Sequence, residues 1–209
     1  KQSFSRPELN AEYYFNDNNI LTVGTGYVQE TVQTSRYGDL EQREQGTLYG
    51  FFQDEWMPVE KLSVILGGRY DYNSIYGSQF SPKLSSRYEL NDKVAFKISG
   101  GVGFKAPDFR QLYFNFNNSA AGGYSVLGTE VAAPRLAELD AAGLIEAYLY
   151  DPALLGDLKA ERSYSINAGT QVQLLEKLKG DFNLFYNSID NLIETQAVAI
   201  TTTGQSIYS

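Results

Sequence analysis

The amino-acid sequence predicts an all-β chain, folded as an antiparallel meander of about eight long strands. Three observations favour this fold. Apolar and polar residues alternate along several segments, the connections between these segments alternate in length, and the 209 residues include 16 Tyr, 12 Phe and 19 Gly. Alternation with a period of two residues is typical of a strand whose two faces differ in polarity, and Tyr and Phe favour strands over helices.

The alternation is clearest in four segments. Between Leu62 and Tyr72 the apolar residues, apart from Ile65, share one parity. The same pattern occupies residues 82–90, 94–104 and 164–174, and weaker examples occupy residues 7–15, 20–32, 47–56 and about 182–198. Many of these segments reach the roughly 9–11 residues that a tilted strand needs to cross an outer membrane, whereas strands of soluble proteins usually have about five or six.

The connections between the predicted strands alternate between short and long. Short ones lie at residues 16–19, 57–61, 91–93 and 175–179, and longer ones at 33–46, 74–79 and 106–157. In an antiparallel meander alternate connections lie at the same end of the sheet, so the short turns share one rim and the long loops the other. Outer-membrane β-barrels have this asymmetry. The pattern therefore favours a membrane barrel, and a soluble sheet whose loops happen to alternate in length is the alternative.

The longest connection, residues 106–157, is predicted to contain a short helical insertion. Loops beyond about 12–15 residues usually have a function or are disordered. Apolar residues recur at roughly helical spacing over residues 134–150, with Pro134 where the start of a helix tolerates proline. Residues 151–156 then read as an Asp N-cap, a proline, one turn and a terminal glycine. The insertion would be either a lid that contacts ligand or a helix that packs over the barrel mouth.

The composition excludes several classes of function. The chain has no Cys and no His, so disulfides, the Ser-His-Asp and Cys-His nucleophile systems and the usual zinc and haem ligands are absent. Its 25 acidic and 17 basic residues give a net charge of −8, which argues against a nucleic-acid partner because phosphate binding needs clustered Lys and Arg. No apolar run reaches the roughly 18 residues of a membrane-spanning helix. We predict no catalytic residue, metal site or cofactor.

Six short segments, in order along residues 49–193, resemble the C-terminal barrel half of TonB-dependent outer-membrane receptors. They read YGFFQDEW at 49–56, LGGRYD at 66–71, FSPKL at 80–84, GFKAP at 103–107 with RQLY at 110–113, LKAERS at 158–163, and FY at 185–186 with IDNLI at 189–193. Each segment is a weak signal alone. Six in the family's order are a specific one.

The resemblance implies that residues 1–209 are part of a 22-stranded transmembrane β-barrel of the bacterial outer membrane, filled by an N-terminal plug domain. Roughly 22 strands of about 9–11 residues exceed the length of this chain once loops are counted, so it would form less than half of the barrel. Lys1 as first residue, without an initiator Met or a signal peptide, also favours a piece of a longer protein. Residues 106–157 would be an extracellular loop.

The function that the resemblance implies is TonB-coupled uptake of a ferric siderophore or a similar metal chelate, without enzyme activity. The implied partners are outer-membrane lipid, the plug domain of the parent chain, TonB acting through that plug, and the chelate. Haem is disfavoured, because haem receptors of this family carry a His in the loop that here spans residues 107–155 and contains none. A soluble secreted β-sheet binding module and a passive porin-type barrel are the alternatives.

Candidate ligand contacts lie just beyond the Ala-Pro element. They are Arg110, Tyr113, Phe114 and Phe116. An Arg with aromatic residues suits binding of large polar or planar ligands, although the Phe and Tyr residues would also suit an aromatic girdle at the membrane interface. Six charged residues are expected to face the lumen and to form ladders with the plug or with neighbouring strands. They are Arg69, Asp71, Lys83, Arg87, Lys97 and Lys105.

The long loop is acidic. Residues 106–157 hold seven acids and two bases, a charge that would repel anionic chelates. This favours a neutral or weakly charged ligand, or ordering of the loop by calcium. The alternative is an acidic surface that keeps the protein soluble. Residues 16–19 lack the downstream glycine and glutamate of a calcium loop, and we expect a simple turn there.

Overall fold

The computed structural model describes residues 1–38, 41–118, 120, 122–155 and 158–209. The strands and α-helices of this part of the chain form two sheets with two helices between their strands. In chain order they are β1 (Gln2–Ser5), β2 (Glu8–Asn16), β3 (Asn19–Val32), β4 (Arg43–Val59), β5 (Leu62–Asn73), β6 (Gly77–Asn91), β7 (Val94–Lys105), α1 (Phe109–Tyr113), β8 (Asn115–Asn118), β9 (Tyr124–Leu127), α2 (Thr129–Ala141), β10 (Ile145–Tyr148), β11 (Glu161–Leu175), β12 (Leu178–Asp190), β13 (Ala197–Thr201) and β14 (Ser206–Tyr208).

The large sheet is the antiparallel meander that the sequence predicts. Its order is β1-β3-β4-β5-β6-β7-β11-β12, and β2 pairs with the same edge of β3 as β1 does. Because β1 and β2 continue one another around Arg6 and Pro7, the nine strands act as eight. β11 and β12 have 15 and 13 residues, long enough to span a membrane at the usual tilt. The prediction of about eight long strands is confirmed.

The connections differ between the two ends of this sheet. At one end, the hairpins β2–β3, β4–β5, β6–β7 and β11–β12 turn within two residues each. At the other end, residues 33–42, 74–76 and 106–160 connect the strands. The connection predicted at 74–79 is longer than the two-residue turns, as expected, but it is shorter than predicted, because Asn73 pairs with Gly77 across a three-residue turn. The Asn73 Oδ1 accepts the backbone N–H of Ile75 at 2.9 Å, and Gly77 has a positive φ of 70°.

The two faces of the large sheet have opposite character. One face presents apolar side chains that stay 40–80% exposed. They include Val23, Tyr27, Phe52, Leu66, Tyr70, Phe80, Leu84, Ile98, Ile166 and Leu184. The other face is largely polar, and its Asp71 and Gln79 are only 7% and 8% exposed. A soluble sheet buries its apolar face, so this arrangement fits a sheet surrounded by hydrocarbon.

A second, five-stranded sheet lies beyond the long-loop end of the first. Its order is β10-β13-β14-β9-β8, with β14 and β9 parallel. Together with α2 it encloses an apolar core whose members are at most 4% exposed: Leu127, Ala132, Leu136, Val198, Ala199 and Ile207. We call the large sheet the wall, and we call the described part of residues 106–155 together with residues 191–209 the cap. Two separate excursions of the chain therefore share one hydrophobic core.

The predicted helical insertion exists, but its bounds differ. The helix α2 spans Thr129–Ala141, with Pro134 inside it, and residues 145–148 of the predicted helix form strand β10. The helix ends before Gly143, whose φ of 68° is left-handed. Pairing of β10 with β13, about fifty residues away, overrides the local helical spacing.

Two other local expectations have mixed outcomes. As predicted, the Asp151 Oδ1 accepts the N–H of Ala153 at 2.9 Å and Pro152 begins a 3₁₀ turn. The terminal glycine of that turn, Gly156, lies outside the described residues. The strand predicted over about 182–198 ends at Asp190, because Asn191 adopts a φ of 54° and the chain then turns into the cap. None of the described helices is long and apolar enough to cross a membrane.

Candidate functional site

A cavity of about 800 Å³ opens where the cap meets the large sheet. Four stretches of chain form its wall: the first turn of α1 with Phe114, the β9–α2 junction, residues 150–159 where they are described, and residues 191–196 with Ser209. Because these stretches come from both excursions of the cap, with Leu158 and Lys159 just ahead of β11, the cavity depends on the cap being folded. A cavity of this size is typical of small-molecule sites.

Arg110 and Phe114 reach this cavity from a short, well-capped helix. The Asp108 Oδ1 accepts the N–H of Gln111 at 2.8 Å, and the Gln111 Oε1 accepts the N–H of Asp108 at 2.9 Å, which is a reciprocal capping box. Phe109 of α1 is buried, so its side chain holds the helix against the rest of the molecule. The Arg110 guanidinium lies over the Phe114 ring, 5.0 Å from its centroid. A cation that lies over an aromatic ring is therefore part of the lining of the cavity.

The other two predicted contacts, Tyr113 and Phe116, do not line this cavity. Tyr113 packs against Tyr37, at a ring distance of 6.4 Å, and under the guanidinium of Arg43 at 4.2 Å. Phe116 stacks on Phe114, with ring centroids 5.8 Å apart and planes 9° from parallel. All four predicted residues lie in or at the edge of the cap rather than on the apolar face of the large sheet.

A row of rings runs from the cavity wall across the small sheet. Phe116 contacts Tyr124 at 6.0 Å, and Tyr124 contacts Tyr208 at 6.4 Å. Tyr208 belongs to β14 and Phe116 to β8, so the row joins the two excursions. Aromatic pairs at such distances stabilise by about 0.5–1.5 kcal/mol beyond their buried area. The row packs against the Phe114 ring through Phe116.

The loop between β3 and β4 also packs against this region. Burial raises the pKa of the Tyr37 phenol, and the nearby Asp108 carboxylate raises it further. A third loop thus contributes to the outer end of the molecule, beside α1.

Residues 191–196 form a wall of the cavity that our sequence analysis did not predict. The Glu161 Oε1 accepts the N–H of Ile193 at 2.9 Å, and its Oε2 lies 3.3 Å from the Lys105 Nζ. The Asn191 Nδ2 donates to the carbonyl of Ala160 at 3.3 Å. Only the short IDNLI resemblance marked this stretch, and it assigned no role to Glu161 or Asn191.

The charges that line the cavity are balanced. Arg110 and Lys159 are the basic residues of the described wall, and Asp108 and Glu194 are the acidic ones. Of the seven acids counted in the long loop, Asp157 lies outside the described residues and only Asp108 among the others lines the cavity. Within the described ranges, no group of three or more acidic side chains could hold a metal ion. The acidic charge of the loop therefore lies mainly on its outer surface.

The six predicted lumen residues share the polar face of the large sheet. Arg69 forms a bidentate pair with Asp71, with N···O distances of 2.7–2.9 Å. Lys83 donates to Gln53, and Lys97 pairs with Asp181 at 3.2 Å. The remaining two also have partners: Arg87 with Glu89 at 3.1 Å and Lys105 with Glu161 at 3.3 Å. Their contacts with a plug stay a prediction.

Tyr49 occupies the centre of a compact polar cluster on this face. It is only 1% exposed. Its hydroxyl donates to the Glu8 Oε2 at 2.5 Å and accepts from the Arg6 Nε at 3.1 Å. Gly26 lies beneath the ring, and a Cβ there would stand 2.4 Å from the Tyr49 hydroxyl. The sequence pattern placed Tyr49 in a strand and gave no sign of this cluster, because Arg6 lies in the interruption between β1 and β2.

The sequence matches a known protein family over nearly its whole length. The family model described as "TonB dependent receptor-like, beta-barrel" matches residues 3–209. The chain belongs to the TonB-dependent receptor family. The resemblance found in the sequence is therefore confirmed, and the large sheet is a segment of the TonB-dependent receptor barrel.

Two curated relatives are similar over part of the TonB-dependent receptor chain. The probable TonB-dependent siderophore receptor PirA of Acinetobacter baumannii is 29% identical over 182 residues, covering 78% of this chain and 21% of that protein. The iron-regulated outer membrane virulence protein of Vibrio cholerae serotype O1 is 36% identical over 74 residues, covering 35% of this chain and 11% of that protein. The chain thus spans about a fifth or less of the length of these relatives. Its location is the bacterial outer membrane.

Solved receptors share the fold over the whole chain. The siderophore receptor PirA from Pseudomonas aeruginosa superposes with a TM-score of 0.73 at 19% identity, covering 99% of this chain and 36% of that one. A variant of the ferric enterobactin receptor PfeA from Pseudomonas aeruginosa, in complex with enterobactin, superposes with a TM-score of 0.64 at 16% identity, covering 99% of this chain and 31% of that one. The TonB-dependent receptor fold therefore includes the cap as well as the large sheet.

Proposed function

We propose that this chain supplies part of the wall and part of the outer ligand site of a receptor that takes up a ferric siderophore, with the energy coupled through TonB. The family membership and the cavity at the outer end of the large sheet support the proposal together. The observation that carries it is the cavity of about 800 Å³ with Arg110 and Phe114 in its wall. Its volume suits a chelate of siderophore size, since ligand pockets usually enclose about 300–1,000 Å³.

The two faces of the large sheet would have different roles in the proposed receptor. The exposed apolar face would contact lipid, and the polar face with Arg69, Lys83 and Lys97 would line the lumen and contact the plug domain. The cap would hold the chelate above the lumen until TonB acts on the plug. No bond in the ligand is made or broken in such a process, so we expect no enzyme activity.

The proposed ligand is neutral or weakly charged at the part that enters this cavity. Arg110 and Lys159 are matched there by Asp108 and Glu194, so the wall offers hydrogen bonds and an aromatic face without a strong net field. Names of similar proteins include a probable siderophore receptor and a ferric enterobactin receptor. A ferric siderophore is therefore the ligand class that we would test first.

The test is iron uptake by the intact receptor. Cells that depend on this receptor under iron limitation would receive either a radiolabelled ferric trihydroxamate, which is neutral, or radiolabelled ferric enterobactin, which carries three negative charges. The wild type, Arg110→Ala and Arg135→Ala would be compared with whichever chelate the wild type takes up. Arg135 is the matched control, because it lies in the cap but pairs with Glu138 at 2.8 Å on an exposed surface. We expect Arg110→Ala to reduce uptake at least about tenfold, since it removes a charged hydrogen-bond donor from the wall. Normal uptake by Arg110→Ala, with equal amounts of receptor in the membrane, would contradict the assignment.

A passive porin is the alternative that the same cells can address. A porin conducts ions in a planar bilayer and supports uptake without TonB. We expect the intact receptor to show neither property, so uptake that persists after deletion of TonB would favour the porin.

A further inference from the structure

We infer that Glu161 is a positioning residue of the ligand site. Its carboxylate holds the segment 191–196 against the adjoining ends of strands β7 and β11 and so sets the shape of the cavity. The inference rests on the proposed function for its consequence in ligand binding. Its structural part, the fastening itself, stands on the geometry alone.

Glu161 occupies a junction between three parts of the chain. It is the first residue of β11, where the long excursion returns to the wall, and its register partner is Lys105, the last residue of β7. The carboxylate pairs with Lys105 through Oε2, at 3.3 Å, and accepts the backbone N–H of Ile193 through Oε1, at 2.9 Å. One side chain therefore connects the ends of two wall strands to the loop that follows β12.

The backbone beyond β12 needs such a contact. Asn191 has a φ of 54°, so the chain leaves the line of the strand there and turns toward the cap. The segment from Asn191 to Thr195 belongs to no strand of the described sheets, and backbone pairing resumes at Gln196, which exchanges two hydrogen bonds with Ser209 at 2.9 Å. The Glu161 carboxylate supplies a hydrogen-bond acceptor to the Ile193 N–H, and an ionised carboxylate is a stronger acceptor than a neutral side chain.

The same segment contributes a large share of the cavity wall. Asn191, Leu192, Ile193, Glu194, Thr195 and Gln196 all line it. Glu161 itself does not line the cavity, so it would act on ligand only through this segment. Its side chain is 13% exposed, compared with 55% for that of Lys105. A hydrogen bond shielded in this way is worth more than one at an open surface.

Four variants of the intact receptor separate the contributions. Glu161→Ala removes both contacts. Glu161→Gln keeps an oxygen acceptor for the Ile193 N–H and loses the charge, whereas Lys105→Met removes only the ion pair. Asp181→Ala is the matched control, because Asp181 also holds two partners on the polar face, Lys97 at 3.2 Å and Gln171 at 3.0 Å, and neither of them belongs to the segment 191–196.

The first measurement is amide hydrogen exchange of residues 191–196 in the purified receptor without ligand. We expect Glu161→Ala to speed exchange in this segment about tenfold or more, because a charge-assisted hydrogen bond that closes the local structure is lost. Glu161→Gln and Lys105→Met should retain most of the protection, and Asp181→Ala should leave the segment unchanged. Equal exchange in Glu161→Ala and wild type would overturn the inference, and so would equal acceleration by Asp181→Ala.

The second measurement is affinity for ferric enterobactin as the probe. We expect Glu161→Ala to weaken binding about tenfold and Glu161→Gln to restore most of it, with the thermal unfolding midpoint of the barrel unchanged in both. Faster exchange with unaltered affinity would overturn the role in the ligand site. If the wild type does not bind the probe, the proposed function loses this ligand, and the exchange experiment alone decides whether Glu161 fastens the segment.

Discussion

The guanidinium of Arg69 lies over the ring of Tyr49, with its central carbon 3.8 Å from the ring centroid. Tyr49 and Arg69 belong to neighbouring strands, and Arg6 approaches the same ring from the interruption between β1 and β2, at 5.5 Å. Tyr49 is nearly buried and contacts both cations, which Glu8 and Asp71 neutralise, so the ring is shielded from water while the two guanidiniums stay partly exposed. This cluster joins the first strands of the wall on the polar face.

Replacement of Tyr49 tests how much this cluster stabilises the wall. We expect Tyr49→Ala to lower the free energy of unfolding by about 3–5 kcal/mol, because it leaves a cavity and removes both cation–π contacts. Tyr49→Phe keeps the ring and leaves Glu8 and Arg6 without the hydroxyl, so a loss of about 1–2 kcal/mol is expected. Urea unfolding of the receptor in lipid vesicles measures both, and equal losses for the two variants would contradict the cation–π account.

Gly26 is predicted to be intolerant of any side chain. A Cβ there would lie 2.4 Å from the Tyr49 hydroxyl and 2.9 Å from the carbonyl oxygen of Pro7. Gly26→Ala should therefore destabilise the wall by about 1–3 kcal/mol. Gly50 in the next strand is the control, since its nearest contact would be an ordinary 3.7 Å. We expect Gly50→Ala to change the unfolding free energy by less than about 0.5 kcal/mol in the same urea experiment.

We expect the apolar core of the cap to unfold separately, while the strands of the large sheet stay folded. Leu136 of α2 is 1% exposed and packs in the core that also contains Val198 and Ile207 of the other excursion. We expect Leu136→Ala to cost about 2–5 kcal/mol of cap stability. Limited proteolysis of the receptor in membranes should then cut both excursions faster and leave the wall strands intact. Leu154→Ala, at a side chain that is 64% exposed, is the control and should leave the cleavage pattern as in the wild type.

Phe114 and Phe116 are predicted to differ in ligand binding. Phe114 lines the cavity, and Phe116 stacks behind it without reaching the cavity wall. Phe114→Ala should weaken ferric siderophore binding about tenfold or more, as expected for a truncated aromatic contact. Phe116→Ala should weaken it only a few-fold, through lost support of the Phe114 ring. Titration of both variants with ferric enterobactin distinguishes them, and a larger effect at Phe116 would place the ligand on the opposite side of the ring pair.

The wall of this protein could be predicted from the sequence, because alternation with a period of two is a local property. The segments 62–72, 94–104 and 164–174 match strands β5, β7 and β11 to within a few residues. The errors lie where a distant partner decides. Residues 145–150 have helical spacing, yet β10 pairs with β13, and the chain beyond Asp190 has strand-forming residues but turns at Asn191.

The candidate site was predictable only in part. Arg110 and Phe114 follow a recognisable element and lie in the cavity wall, whereas Tyr113 and Phe116 follow the same element and pack elsewhere. The difference arises from their partners: Tyr113 packs against Tyr37 and Arg43, and Phe116 lies in β8 against the ring of Phe114. Glu161 and Ile193 meet across thirty-two residues of sequence. No local pattern marks such a pair.

The shared core of the cap determines which receptor chimeras could fold. Strand β9 lies in the first excursion and pairs in parallel with β14 in the second, and Val198 and Ile207 complete the packing around α2. A graft that transfers only residues 106–157 from another receptor would place a foreign helix against the native hairpin and leave unmatched apolar surfaces facing one another. We therefore expect a chimera to fold at this end of the sheet only when both excursions of the cap are transplanted together.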